Sequence, residues 1–241
     1  MKVVGAIEFP GSPQLDKDAG ELAGVGRIGV PLNPELAPLL KGEVVVIEFS
    51  TPQATLEHAR LAAEKKIPIV IGTTGSDQKQ LDAIKTLARR TPILLSANMS
   101  LGVNLLVSLL GKVAKTLGDD YDVEIIEAHH RFKKDAPSGT AIAMGRAIAN
   151  GLNRDLDNVG VSGRKGIVGE RTTQEIALLS VRAGDIVGDH TVVFGGIGER
   201  LEFIHRAHSR ETFAHGALRA AQWLAKQKPG LYGMQDVLGI R

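Results

Sequence analysis

Between Glu43 and Ser96 the chain alternates short apolar runs with amphipathic ones, and this alternation restricts the fold more than any other feature. Glu43 to Phe49, Pro68 to Ile71 and Pro92 to Ser96 read as strands. Pro52 to Lys65, with proline at its first position, and Asp77 to Arg90 read as helices. Strands joined through helices need crossovers, so the pattern predicts a parallel sheet with helices on both faces. In such a sheet the binding crevice opens beyond the carboxyl ends of the strands. Here those ends are Phe49-Ser50-Thr51-Pro52, Gly72-Thr73-Thr74-Gly75 and Ser96-Ala97-Asn98-Met99-Ser100. Any one of these loops is explained by the needs of a tight turn. Three on one sheet edge point to a cofactor that approaches the backbone closely.

Leu101 to Leu117 reads as a helix with a nearly unbroken apolar face, including Leu105, Leu106, Leu109, Leu110 and Val113, and marks the start of a second domain. Beyond it, Thr173 to Arg182, Asp189 to Phe194 and Arg200 to His208 are extended runs separated by glycine-rich turns, which predicts a mixed or antiparallel sheet. A final helix, Thr212 to Ala225, leads into a tail, Leu231 to Leu238, expected to return to the first domain. The expected division is 1–100 with 211–241, and 101–210. Lys2 to Glu8 reads as a buried strand ending in an acid.

Gly24-Val25-Gly26-Arg27-Ile28-Gly29 has the spacing of a dinucleotide-binding loop, but its context argues against that role. The motif needs a strand before it and a helix after it, whereas Pro31 and Pro34 stand where the helix should run.

The 241 residues, 43% of them hydrophobic, are enough for one large domain or two small ones. A net charge of +2, with no dense basic run carrying aromatics, argues against a nucleic-acid partner. With no cysteine there is neither a disulfide framework nor a thiolate metal site. Apolar runs such as Val44 to Ile47 are too short to span a bilayer, and no signal peptide is visible, so the expected location is the cytoplasm.

The chemistry concentrates in Glu124 to Ala141. Val123 to His130 reads as a strand, and Pro137-Ser138-Gly139-Thr140 is helix-start chemistry. Ser138 as N-cap leaves the N–H groups of Gly139, Thr140 and Ala141 at a helix mouth, where an anion binds. His129, His130, Arg131, Lys133 and Lys134 lie just upstream and add proton carriers and positive charge. Adjacent histidines on a strand point to opposite faces, and His190, His205, His208 and His215 are scattered, so no metal site is expected. Glu124 and Glu127 fall on opposite faces and read as structural ion-pair partners.

The run from Glu124 to Ala141 closely resembles the signature of the 4-hydroxy-tetrahydrodipicolinate reductase (dihydrodipicolinate reductase) family. Gly72-Thr73-Thr74-Gly75, Ala97 to Asn104, Arg182 to Gly188 and His208 to Phe213 are similar to further family blocks, in family order. The resemblance implies an α/β protein with a Rossmann-like parallel sheet and an α+β substrate domain with an open mixed sheet. It implies hydride transfer from NADH or NADPH to 4-hydroxy-tetrahydrodipicolinate in lysine and diaminopimelate biosynthesis, by a homotetramer. By the same resemblance His129 is the acid-base residue, Lys133 the proton donor, and His130, Ser138, Gly139 and Thr140 hold the dicarboxylate substrate. Cofactor contacts are implied for Glu8, Phe49, Gly72, Thr73, Thr74, Ser96, Ala97, Asn98, Met99 and Arg210.

Two departures from the family pattern matter. Family members open with a strand, a glycine-rich loop and a helix before the segment corresponding to Met1 to Glu8, so about 30 residues, the size of one such unit, are expected to be absent here. The alternative is then a catalytically silent dicarboxylate-binding or assembly protein that has lost its cofactor site. Glu8 is followed by Phe9, where relatives often carry arginine, which favours NADH over NADPH.

Overall fold

A computed structural model of the chain describes residues 1–240. In chain order its elements are β1 (Ala6–Ile7), α1 (Ala19–Leu22), β2 (Leu32–Asn33), β3 (Val46–Glu48), α2 (Pro52–Lys65), β4 (Ile69–Ile71), α3 (Gln78–Leu87) and β5 (Pro92–Leu95). There follow α4 (Leu101–Leu117), β6 (Asp122–His129), α5 (Gly139–Gly151), α6 (Leu156–Val159), β7 (Gly160–Val161), β8 (Ile176–Arg182), β9 (Gly188–Gly195) and β10 (Arg200–Ala207). The last elements are α7 (Glu211–Leu224), β11 (Gly230–Tyr232) and α8 (Met234–Leu238). The chain divides into two compact units, Met1–Ser96 with Ala217–Gly233, and Ala97–Gly216 with the residues from Met234 onward.

In the first unit β3, β4, β5 and β11 form a parallel sheet in the order β11-β5-β4-β3. The central strands are buried on both faces, as parallel strands under crossover helices must be. Ile69, Ile71 and Ile93 pack there against Ala59 and Ala62 of α2 and Ile84 of α3. Thr51 caps α2, with Pro52 in its first turn, and Asp77 and Gln80 form a reciprocal capping box on α3. The expected buried strand at Lys2 to Glu8 shrinks to the two-residue β1, paired in parallel with β2, because Lys2, Val3 and Val4 are exposed.

The glycine-rich stretch Gly24 to Gly29 wraps around one carboxylate. Asp18 accepts hydrogen bonds from the N–H groups of Gly20, Glu21, Ile28, Gly29 and Val30 at 2.7–3.2 Å. These bonds, led by that from Ile28, hold its carboxyl at a pKa of about 2. Two amides of the G-x-G-x-x-G stretch, Ile28 and Gly29, are therefore already given to an internal anion, which agrees with reading it as an ordinary turn-rich loop.

In the second unit the sheet order is β10-β9-β6-β8-β7. β6 runs parallel to β8 and antiparallel to β9, which makes the sheet mixed. Val123, Ile125, Ile176, Val192 and Phe194 meet α4 and α5 in one core. α4 and α5 lie close because two glycines face each other. A Cβ on Gly151 would stand 2.3 Å from the Gly111 carbonyl oxygen. Leu101–Asp120 is long and apolar enough to cross a membrane by length and composition, contrary to the reading from apolar runs. Its Val103, Leu106, Leu110 and Ala114 are buried against α5 and the sheet, the packing of a core helix.

The division differs from the expected one in three places. Ala97 to Ser100 and Glu211 to Gly216 belong with the second unit, and so does the tail from Met234, where α8 packs on α4. β11 alone returns to the first sheet. A Gly151→Ala substitution should lower stability by about 1–3 kcal/mol in urea unfolding, since its methyl group meets backbone that cannot rotate away.

Candidate active site

The second unit builds its polar centre on β6. Alternation along this strand puts Glu127 and His129 on the same buried face, two residues apart. The His129 Nδ1–H donates to Glu127 Oε2 at 2.5 Å. Arg182, opposite His129 on β8, grips both Glu127 oxygens at 2.9 and 2.8 Å. Ser138 donates its backbone N–H to Glu127 Oε1 at 3.2 Å. Burial alone would raise the Glu127 pKa, but the bonds from Arg182, Ser180 and His129 outweigh it and hold the carboxyl at about 2. An ionised Glu127 keeps the proton on Nδ1 of His129 and leaves Nε2 as the working nitrogen. Glu124, on the opposite face, pairs with Arg164 and Arg171, as expected of a structural ion pair.

Two helix mouths adjoin this node. Ser138 caps α5 by accepting the Ala141 N–H at 3.1 Å. Of the three amides expected to be open, Ala141 is thus used by the cap, leaving Gly139 and Thr140 without an intrahelical acceptor. Ser100 caps α4 in the same way, accepting the Val103 N–H at 3.3 Å. Asn98 joins the two mouths, donating its Nδ2–H to Thr140 Oγ1 at 3.0 Å while its Oδ1 accepts the Ser100 N–H at 2.8 Å. Asn98, expected beside the cofactor, has its side chain on Thr140, expected beside the substrate.

His130 lies just past the strand end, near Phe132, and its Nδ1 is buried without a partner among the described residues. Lys133 Nζ bonds Asp135 at 2.8 Å, so the ammonium is held on the loop. Behind His129 stand two further imidazoles, His190 at 5.2 Å between ring centres and His205 at 6.3 Å from His190. Strand pairing gathers His190 and His205, two of the histidines that look scattered in sequence, beside His129.

In the first unit the loops after β3 and β4 are stitched together. The Ser50 N–H donates to Thr73 Oγ1 at 2.9 Å, and the half-exposed Phe49 ring covers Gly72 so closely that a Cβ there would meet it at 2.1 Å. Buried Glu48 accepts from the Ser50 hydroxyl and bonds His58 Nδ1 at 2.6 Å. Thr74 is exposed on the same edge, Ser96 donates its N–H to the Ile71 carbonyl at 3.1 Å, and Glu8 follows β1 with its side chain accepting the Phe9 N–H at 2.9 Å. Ala97, Asn98, buried Met99 and exposed Arg210 belong to the second unit. A groove of about 800 Å³, lined by Val44, Pro68, Arg90 and Pro92 among others, opens at the amino ends of the strands, away from these loops.

Family models for the dihydrodipicolinate reductase N-terminus and C-terminus match residues 1–99 and 102–238. The chain belongs to the dihydrodipicolinate reductase family. It is 53% identical over 241 residues to 4-hydroxy-tetrahydrodipicolinate reductase of Syntrophus aciditrophicus (strain SB), covering 100% of this chain and 90% of that relative. The protein of the same name from Geobacter sulfurreducens is 50% identical over 239 residues, 99% of this chain and 90% of the relative. A dipicolinate-bound dihydrodipicolinate reductase from Paenisporosarcina sp. TG-14 matches with a TM-score of 0.75 at 25% identity, over 98% of this chain and 89% of that one. An amine dehydrogenase from Mycobacterium smegmatis, at 14% identity and a TM-score of 0.54 over 95% of this chain and 86% of that one, shares the fold.

For this dihydrodipicolinate reductase family member, reading the sequence missed Glu127, Arg182 and His190 as parts of the site. The i, i+2 spacing of Glu127 and His129 was the available signal, since it places both on one strand face. Arg182 and His190 come from strands that only tertiary pairing brings alongside.

His190 is buried, and desolvation together with its imidazole neighbours pushes its pKa down to about 4. An unfolded histidine takes up its proton near 6.5. The unfolded chain therefore binds more protons between these values, and stability falls as pH drops from about 6.5 to about 4. Urea unfolding across this range should lose on the order of 3 kcal/mol through this group, and His190→Gln should flatten that segment.

Proposed function

We propose that this chain is a 4-hydroxy-tetrahydrodipicolinate reductase, reducing that dicarboxylate or its dehydrated form with a hydride from NADH or NADPH, in lysine and diaminopimelate biosynthesis. The observation that carries the reading is the Glu127-oriented His129 beside the mouth of α5, in a chain whose family is this reductase family. A ring dicarboxylate offers two anionic groups, and the Gly139 and Thr140 amides, with the Ser138 and Thr140 hydroxyls and His130, are the groups that hold them. Nicotinamide, when bound, supplies the hydride; the chain's part is to deliver a proton to the reduced ring. Lys133 is the proton donor and His129 the acid-base residue that accompanies it.

The residues of the first unit suit a nicotinamide cofactor. Its parallel strands end in a stitched edge of small polar groups, with the Phe49 ring as an apolar surface and Gly72 and Thr73 fixing the loop. Glu8 would meet ribose hydroxyls, and with Phe9 after it there is no arginine at that point for an extra phosphate. This supports NADH as the preferred donor. The protein works in the cytoplasm as a homotetramer assembled through the substrate-unit sheet.

One observation bears on a rival reading, dicarboxylate binding without turnover: Asp18 takes the Ile28 and Gly29 amides of the G-x-G-x-x-G stretch. Titration separates the two. The reductase reading expects NADH to bind at micromolar to low millimolar levels and pyridine-2,6-dicarboxylate to bind as well; dicarboxylate binding without any NADH binding would leave the rival standing. His129→Gln and Lys133→Ala should each lower kcat by roughly 100 to 10,000-fold, the usual range for losing a positioned proton carrier, with dicarboxylate affinity changed only a few-fold. In steady-state assays kcat/KM should be higher with NADH than with NADPH; the reverse order would remove the role given to Glu8 and Phe9.

A further inference from the structure

Ser138 does more than cap a helix, because of what stands behind it. Its Oγ lies 3.1 Å from the Ala141 N–H donor and 3.1 Å from His190 Nε2. We propose that His190 is a positioning residue for the mouth of α5. Its neutral imidazole carries the proton on Nε2, donates it to Ser138 Oγ, and so turns the Ser138 hydroxyl hydrogen toward the bound carboxylate. The inference rests on the reading of this mouth as the dicarboxylate site.

The choice of tautomer decides the matter. His190 is 3% exposed, and its Nδ1 is buried with no partner among the described residues. With the proton on Nδ1, a donor would be stranded in the interior while Nε2 accepted from the serine. With the proton on Nε2, only a lone pair is left at Nδ1. Orphaned buried N–H groups are the rarer and costlier outcome, so the Nε2–H form is favoured. The depressed pKa removes the third possibility, a doubly protonated ring, near neutral pH.

The serine then has no freedom left. Its oxygen accepts from Ala141 N–H and from His190 Nε2–H, which uses both lone pairs. Its own hydrogen has no acceptor among the described residues and is free for an anion at the helix mouth. The same arrangement recurs at α4, where His205 Nε2 stands 3.4 Å from the cap oxygen of Ser100 and His205 Nδ1 is again buried and unpartnered. His205 lies directly opposite His190 in the β9–β10 register. Both serine caps of this unit thus have an imidazole behind the cap oxygen.

The tautomer is directly observable. A long-range proton–nitrogen correlation spectrum of the full chain with 15N-labelled histidine, His190 being assigned by its disappearance in His190→Gln, should show the hydrogen on Nε2. Finding it on Nδ1, or on both nitrogens at pH 7.5, overturns the proposal. Calorimetric titration with pyridine-2,6-dicarboxylate supplies the second test. His190→Met, which lacks a donor, should weaken binding about tenfold, or about 1.4 kcal/mol. His190→Gln, whose amide can replace the Nε2–H, should stay within about threefold of wild type. Adding Ser138→Ala to His190→Met should cost little more, because the hydroxyl is already misdirected. Unchanged binding in His190→Met, or equal losses in His190→Met and His190→Gln, would sink the positioning role. Wild-type protein that fails to bind the probe at millimolar concentration would instead remove the dicarboxylate reading, leaving the spectrum to decide the tautomer.

Discussion

One buried carboxylate holds the second unit's chemistry together. Glu127 has no exposed side-chain surface, and an ionised group in that position is tolerable only if its oxygens are fully engaged. Arg182 brings β8 to it, His129 meets it from its own strand, and Ser138 delivers the start of α5. Each bond that offsets the desolvation of the charge also fixes the group that makes it. Removing any donor would leave the charge short of a partner, so the geometry of the site and the burial of the carboxylate are one constraint. The lowered pKa of Glu127 is the electrostatic expression of the same balance.

Each unit has a turn rich in backbone amides, and the two differ in which of those amides are already taken. In the loop from Gly20 to Val30 five amides converge on Asp18. At α5 the cap consumes one amide and Glu127 another, which leaves Gly139 and Thr140. Both arrangements look glycine-rich and anion-ready in sequence. They differ in the presence of an internal carboxylate at the right distance, a property of the folded chain. The first unit shows the same economy in another form. Glu48, buried beneath the loop after β3, ties Ser50 to His58 while Ser50 ties that loop to Thr73.

Much of this was legible in the residues. The alternation from Glu43 to Ser96 foretold a parallel sheet because periodicity and crossover geometry are local consequences of the pattern. Pro137-Ser138-Gly139-Thr140 foretold a capped helix because capping is a contact of three residues' span. The extents came out shorter than read, as with Glu43 to Phe49, where only Val46–Glu48 pairs with a neighbour. The tail was read as one piece, yet it splits between β11, which adds to the first sheet, and α8, which packs on α4. Nothing in ten residues of sequence tells which core will receive them.

What the sequence determined by itself, then, was the class of fold and the family, and it proposed the stretch from Glu124 to Ala141 as the chemical centre, since strand pattern, cap and charged loop are all written within a few residues of one another. What only the tertiary structure decided was the company those residues keep: Arg182 on Glu127, His190 behind Ser138, Asn98 on Thr140, and Asp18 inside the glycine loop. Those partners stand from two to more than fifty positions away along the chain, and apart from those of Asp18 within its own loop they meet only through sheet register and helix packing. A buried charge or an orphaned N–H has a cost set by its three-dimensional neighbours, so the pairings that satisfy it cannot be read until the fold has brought them together.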